Sequence, residues 1–191
     1  ALPEADHDTV LQRQIAFGYT HEDIRILLAP MAKNGEEPLG SMGTDTALAV
    51  LSNRPRPLYD YFKQLFAQVT NPPLDQIREG LVTSMESTIG PEGNHLEAAP
   101  ESCRQIVIPD PVLSNEEVAQ LRHVQHPWFK ATTLSMVYPV AEGAAGLARA
   151  LEGLQTAASQ AIAEGHNILI LSDRGISRER AAIPSLLATG A

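Results

Sequence analysis

Thr70 and Asn71 place a hydroxyl and a side-chain amide directly before two prolines, Pro72 and Pro73. Proline cannot continue a helix, and it drives the residue before it towards extended geometry. We therefore expect a helix to end here and to leave both side chains in a fixed loop. Uncharged donors and acceptors of this kind can pass a neutral polar molecule without trapping it as an ion. The structural alternative is a helix C-terminus that is closed off by Asn71.

Two further segments suit the binding of a small acid. The loop Gly40–Thr46 is rich in Gly, Ser and Thr. Its backbone N–H groups could face a carboxylate or a phosphate, but it lacks the lysine and the glycine spacing of a nucleotide loop. Asp173 and Arg174 follow a predicted buried strand, at the end where α/β folds place ligands. Both segments also have a structural interpretation, as a turn and as a paired loop. If they bind, the chain is a stand-alone module for small carboxylates.

The common catalytic and metal-binding patterns are missing from this sequence. Cys103 is the single cysteine, which excludes an internal disulfide and a cysteine-rich metal or iron–sulfur site within the chain. His123 and His126 are closely spaced, but Pro127 makes this stretch a poor helix end for a metal site. No Gly-x-Ser-x-Gly turn presents a nucleophile. We predict no catalytic residue, no metal and no cofactor in this chain, and no activity of the chain alone.

The elements that must position these residues follow from apolar periodicity and capping signals. The predicted helices are Asp8–Phe17, a helix from the N-cap Thr20 to Asn34, a helix from Pro57 to Val69, Ile77–Met85, Ser114–Leu121, Leu147–Glu164 and a last helix that begins at Pro184. The predicted strands are Ala47–Leu51, Gln105–Ile108, Ala131–Tyr138 and Asn167–Ser172.

The second half of the chain alternates strands with helices, which is typical of an α/β domain with a mostly parallel sheet and flanking helices. Asn167–Ser172 is continuously aliphatic, as in a strand that is covered on both faces. We expect one domain over residues 1–191, with an irregular helical lead-in over 1–35 and an α/β part over 36–191. Because the chain ends inside a predicted helix, we also expect the domain to be truncated at its C-terminus.

Composition excludes several functional classes. Hydrophobic residues make up 43% of the chain and charged residues 19%, which is typical of a globular core. A formal net charge of -9, with no cluster of Lys and Arg, argues against nucleic acids and anionic membranes as partners. No apolar run approaches the roughly 20 residues of a membrane helix. One cysteine and no signal peptide predict a cytoplasmic location.

Five strings of unusual composition resemble the central domain of the large chain of glutamate synthase. In chain order they are EPLGSMGTDTALAVLS from Glu37, YDYFKQLFAQVTNPP from Tyr59, GPEGN from Gly90, NILILSDRG from Asn167 and IPSLLA from Ile183. Long strings in the same order are far more specific than one short motif. The resemblance runs over nearly the whole chain, from about Leu11 to Ala188.

The resemblance implies a role in an enzyme that makes L-glutamate from L-glutamine and 2-oxoglutarate. In that family a separate amidotransferase domain hydrolyses glutamine at an N-terminal cysteine, and ammonia travels through an internal tunnel. An FMN site then reduces the 2-iminoglutarate formed from 2-oxoglutarate, with electrons that pass an iron–sulfur cluster. The central domain is implied to be a non-catalytic connector, related to a degenerate barrel, that binds no flavin.

By the same resemblance, Thr70 and Asn71 match the loop that lines the narrow part of the ammonia tunnel. Met42 matches a residue near the 2-oxoglutarate pocket. The implied partners are the amidotransferase and FMN-binding domains of the same parent chain, and an NAD(P)H-oxidising subunit or ferredoxin for the whole enzyme. The implied cofactors, FMN and the iron–sulfur cluster, belong to the parent enzyme and not to this segment. Asp173 and Arg174 keep their structural interpretation.

Overall fold

A computed structural model describes residues 7–36, 53, 58–62, 69, 71–94, 96–97 and 99–191. The chain divides into two compact units, Leu2–Pro73 and Leu74–Ala191, and each unit is described by itself. The single domain with a lead-in over residues 1–35 stays a prediction.

The bounds of the elements follow chain order. The α-helices are α1 (His7–Ala16), α2 (Ala29–Asn34), α3 (Gln76–Val82), α4 (Asn115–Arg122), α5 (Gly143–Ala163) and α6 (Ser185–Gly190). The strands are β1 (Ser87–Ile89), β2 (Ile106–Ile108), β3 (Ala131–Ser135), β4 (Val137–Pro139), β5 (Ile168–Ser172) and β6 (Arg180–Ala182). Asp23–Leu28 forms a π-helical stretch that leads into α2, and Leu58–Phe62, Pro100–Cys103 and Val140–Glu142 are short 3-10 helices.

The first unit begins with two helical segments whose ends were predicted from local signals. Helix α1 stops before Gly18, which has a φ of 80° that residues with a Cβ rarely adopt. The Thr20 hydroxyl accepts the N–H of Asp23 at 3.1 Å, and the Asp23 carboxylate accepts the N–H of Thr20 at 2.8 Å. This reciprocal cap starts the second helical segment. Gly35, with a φ of 64°, ends α2.

The core of the second unit lies between α5 and the parallel pair β3–β5, whose register sets Ala131 opposite Ile168 and Ser135 opposite Ser172. Helix α5 buries one stripe because its apolar residues recur at three- and four-residue intervals. The residues packed together are Leu134, Met136, Leu154, Ile183 and Ala188, with Leu147, Ala150, Leu151, Ala157, Ala158, Leu169 and Leu171 around them.

The predicted strand Ala131–Tyr138 is divided into two strands at Met136. The N–H of Met136 donates to the carbonyl of Ser172 at 2.9 Å, on the β5 side. Its carbonyl accepts the N–H of Ile183 at 2.7 Å. Met136 therefore connects the parallel pair β3–β5 to the antiparallel pair β4–β6. In the antiparallel pair, Val137 lies opposite Ala182.

The α/β class is confirmed, and so is a parallel strand pair. In the described part of the chain, however, β1–β2 and β4–β6 are antiparallel and only β3–β5 is parallel. The expectation of a mostly parallel sheet was therefore too broad, because a sequence of alternating strands and helices does not reveal short added strands such as β1 and β6. The relation to a degenerate barrel and the truncated C-terminus stay predictions.

Candidate functional site

Asn71 is the predicted tunnel residue whose position the structure describes. It lies in a bend and is exposed, with the two prolines directly after it along the chain. Its side chain offers an amide oxygen and two N–H donors, and it carries no charge. Thr70 lies outside the described residues, as does Met42, and so does the loop Gly40–Thr46.

The helix that follows the prolines begins at the N-cap Asp75, which was not predicted. The Asp75 carboxylate accepts the N–H groups of Ile77 at 3.1 Å and of Arg78 at 2.9 Å. Asp is a favoured N-cap residue, and this preference was the one signal in the sequence that could have indicated the start of the helix. The third helical position is Arg78 and not Glu, so the reciprocal pattern that revealed the other caps is absent here. Asp75 therefore fixes where α3 starts.

The loop after β5 is held at Arg174 by two hydrogen bonds. The guanidinium of Arg174 donates to the side-chain oxygen of Asn115 at 3.0 Å, which ties this loop to the start of α4. The N–H of Arg174 donates to the hydroxyl of Ser172 at 3.3 Å. Arg174 therefore joins this loop to α4 through Asn115, and the pairing of Asp173 with Arg174 stays a prediction.

Met136, directly beyond the carboxyl end of β3, and its hydrogen-bond partner Ile183 are both buried. Nucleotides and flavins bind in this place in many α/β folds. Here Met136 is 5% exposed and Ile183 is 1% exposed, and the N–H groups of both residues are used in the backbone hydrogen bonds described above. An FMN phosphate does not fit these two residues, because their N–H donors are already used in backbone hydrogen bonds.

An iron–sulfur cluster does not fit this chain either. Such a cluster is held by several cysteine thiolates, and Cys103 is the single cysteine of the sequence. Among the described residues, no group of three or more His, Cys, Asp or Glu side chains is arranged to hold a metal ion.

The helices of the described part include none that is long and apolar enough to cross a membrane.

An apolar groove runs between β2 and α4 and was not predicted. Its cavity volume is about 470 Å³. The apolar side chains that line it include Ile106, Ile108, Val112, Leu113, Leu121 and Val124. Its residues come from a strand, a loop and a helix that follow one another within residues 106–124. Their apolar spacing predicts a strand and a helix, but it does not show that a groove lies between the two.

Two carboxylates, Asp110 and Glu117, also line this groove. The Asp110 carboxylate accepts the N–H of Val112 at 2.8 Å. Glu117 forms a capping box with Ser114: its carboxylate accepts the Ser114 N–H at 2.7 Å, and the Ser114 hydroxyl accepts the Glu117 N–H at 3.3 Å. The backbone N–H of Ser114, followed by its side chain, lowers the pKa of Glu117. The groove is therefore apolar within and acidic along its rim.

Comparisons with known proteins place the whole chain in one family. The family model described as glutamate synthase central domain matches residues 12–191. The NADH glutamate synthase of Schizosaccharomyces pombe is 47% identical over all of this chain, which covers 9% of that protein. The chloroplastic ferredoxin-dependent glutamate synthase of Spinacia oleracea is 47% identical over 97% of this chain and 12% of its own length. The large chain of the NADPH glutamate synthase of Bacillus subtilis is 46% identical over 98% of this chain and 12% of its own length.

These relatives are therefore about ten times longer than the region that they share with this chain. The match extends through both units and includes the segment with Thr70 and Asn71. The chain belongs to the glutamate synthase central domain family.

Proposed function

We propose that this chain is the connecting domain of a glutamate synthase and has no catalytic residue of its own. It joins the domain that releases ammonia from glutamine to the domain that consumes ammonia with 2-oxoglutarate on FMN. The observation that carries the proposal is the family match over residues 12–191, in a chain that spans only about a tenth of each relative. The reactive groups of both half-reactions then belong to neighbouring segments.

In this proposal Thr70 and Asn71 line the passage for ammonia. Ammonia must stay unprotonated to attack a carbonyl carbon, because the ammonium ion has no free lone pair. A carboxylate beside the passage would favour the charged form. A hydroxyl and an amide hydrogen-bond to ammonia without that effect. The exposed, uncharged side chain of Asn71 at its bend supports this role.

Met42 is proposed to close the 2-oxoglutarate pocket from the side of this domain. Its thioether is flexible and apolar, so it would contribute packing and not recognition of a carboxylate.

The cofactors and electron donors are proposed to act outside this domain. The N–H groups of Met136 and Ile183 are already used in backbone hydrogen bonds, and a single cysteine does not suit an iron–sulfur cluster, which supports this proposal. The relatives named for NADH, ferredoxin and NADPH are 47%, 47% and 46% identical to this chain. Because similarity does not follow the donor, a role shared by all three kinds of enzyme suits this domain best. The cytoplasm is the proposed location.

Replacing Thr70 in the intact parent enzyme tests the proposal. Thr70→Phe adds bulk to the passage, so glutamine hydrolysis should continue while the glutamate formed per glutamine hydrolysed falls, because ammonia escapes before it reaches the second site. The matched control is Thr70→Val, which removes the hydroxyl and keeps the size. Ammonia released into solution is measured beside glutamate on the same samples.

If Thr70→Phe forms as much glutamate per glutamine hydrolysed as the unchanged enzyme does, the passage is not at this residue.

A stand-alone binding module would differ from a connecting domain in what it binds. Calorimetry of the purified 191-residue chain with 2-oxoglutarate, glutamine and FMN adds a second readout. A connecting domain should bind none of them saturably, whereas a carboxylate module should bind 2-oxoglutarate.

A further inference from the structure

Within the part of the chain that the structure describes, one edge of the strand β2 is not paired with another strand, and this edge faces the apolar groove. Three consecutive residues, Ile106, Val107 and Ile108, all line the groove. Alternate side chains of a strand point to opposite faces, so a groove that touches all three runs along the edge of the strand. The other edge of β2 pairs with β1, antiparallel, with Thr88 opposite Val107. Among the described residues no other strand pairs with β2.

A two-stranded ladder of this size needs further support. An isolated hairpin is marginally stable in water, and a third strand or a packed helix stabilises it. Val107 is 57% exposed and Val112 is 81% exposed, which leaves apolar surface next to a strand edge that no other described strand covers. Such an edge is a template for an added strand.

The rim of the groove selects the charge of an occupant. Asp110 and Glu117 each use carboxylate oxygens in local hydrogen bonds, but a carboxylate has about four lone-pair sites. Both therefore keep acceptor capacity for a Lys or Arg. A second copy of this chain suits the groove poorly, since each copy carries a formal net charge of -9 and like charges oppose association.

We propose that the edge of β2 and the groove beside it take an extended apolar segment, flanked by Lys or Arg, from the part of the parent polypeptide outside this chain. This inference rests on the proposed function, because it requires a longer parent. The relatives extend over about ten times the matched length, so most of such a polypeptide is available to dock. A tethered segment binds at high effective concentration. The surface formed by β2 and α4 is then an internal docking site.

Photo-crosslinking in the intact parent polypeptide tests this docking site. A photoreactive benzophenone residue replaces Val112 in the groove. In a control preparation it replaces Ile162, which is 61% exposed on α5 and does not line the groove. We expect position 112 to crosslink to one peptide from outside residues 1–191 of the same polypeptide. A crosslink within residues 1–191, to a second copy, or at no more than the yield of position 162 would overturn the proposal.

Hydrogen exchange of the same parent gives an independent readout. Val112→Asp adds a charge where the docked segment should pack, so the amides of residues 106–108 should exchange about tenfold faster. The amides of α5 should be unchanged. If the groove is empty, Val112→Asp changes an exposed residue and the exchange at β2 stays the same, which contradicts docking.

The proposal of a docking site and the proposal of an ammonia passage can be contradicted independently of each other. The ratio of glutamate formed to glutamine hydrolysed is measured on the same preparations. If β2 shows no docking while Thr70→Phe still uncouples the two reactions, only the docking site is wrong. If the crosslink forms while Thr70→Phe has no effect on coupling, only the passage is wrong.

Discussion

Asn71 offers a neutral amide at a bend, and that neutrality is the property the proposed passage requires. Asn71→Asp keeps the size and adds a carboxylate. In the intact parent enzyme, glutamate formed per glutamine hydrolysed should fall severalfold, because a nearby negative charge favours ammonium over ammonia. Asn71→Ser, which stays neutral, is the control. An unchanged ratio in Asn71→Asp would remove Asn71 from the passage.

Glu117 gives the described part of the chain a defined acid sensitivity. Its pKa is lowered in the folded state by hydrogen bonds from Ser114, whereas in the unfolded chain it has its ordinary value. Folding is therefore favoured above the unfolded pKa, and this stabilisation is lost as the pH falls through the folded pKa. Glu117→Gln, which can still form a capping box, should flatten the pH dependence of the melting temperature in this acidic range.

Ser114→Ala is the matched variant for this prediction. It removes the hydroxyl cap and should lower the free energy of unfolding by about 1 kcal/mol. It leaves the backbone N–H of Ser114, the larger cause of the lowered pKa, so most of the acid sensitivity should remain. Equal flattening in both variants would show that the hydroxyl, and not the backbone, sets the pKa of Glu117.

The residue-scale features that the sequence predicted are local ones. The caps at Thr20 and Ser114 were predicted because both partners lie three residues apart. Asn167 was not predicted, although its amide donates to the carbonyl of Trp128 at 2.6 Å and accepts the N–H of Lys130 at 2.9 Å. Those partners are distant along the chain, and only the parallel pairing of β3 and β5 brings them together.

At the scale of elements, the packing of α5 on β3 and β5 carries the stability of the second unit. Leu154 is 6% exposed in the centre of this core. Leu154→Ala should lower the free energy of unfolding in urea by about 3 kcal/mol, through lost burial and a remaining cavity. Ile162→Ala, on an exposed position of the same helix, should cost well under half of that. Similar losses for both variants would contradict this core.

Long elements were predicted better than short ones for a physical reason. The helix α5 has several turns, and the strand β5 is a run of aliphatic residues, so the pattern of each is clear in the sequence. The strands β1 and β6 have three residues each, too few for alternation to be distinguished from a loop. The equally short β2 was predicted from its run of β-branched residues, and most of β4 lay inside the predicted strand Ala131–Tyr138. Their pairing depends on tertiary contacts such as those of Met136, which no local pattern contains.

At the scale of the whole molecule, the sequence predicted the family, but it did not predict how the elements pack together. Several long strings identified the glutamate synthase central domain, and the match over residues 12–191 confirms it. The division at Pro73 and Leu74 and the groove beside β2 were not predicted, because both arise from packing. Thr70 and Met42 lie outside the described residues, so their roles rest on the family and on chemistry.

The most direct test follows the nitrogen atom through the intact parent enzyme. Glutamine labelled at its amide nitrogen is supplied with an excess of unlabelled ammonium, and the label in glutamate is measured in the unchanged enzyme and in Thr70→Phe. If ammonia passes Thr70, the glutamate made by the unchanged enzyme keeps the label. Thr70→Phe should still hydrolyse glutamine, while its glutamate loses label or is no longer formed. Full label and full coupling in Thr70→Phe would show that ammonia does not pass through this domain at Thr70.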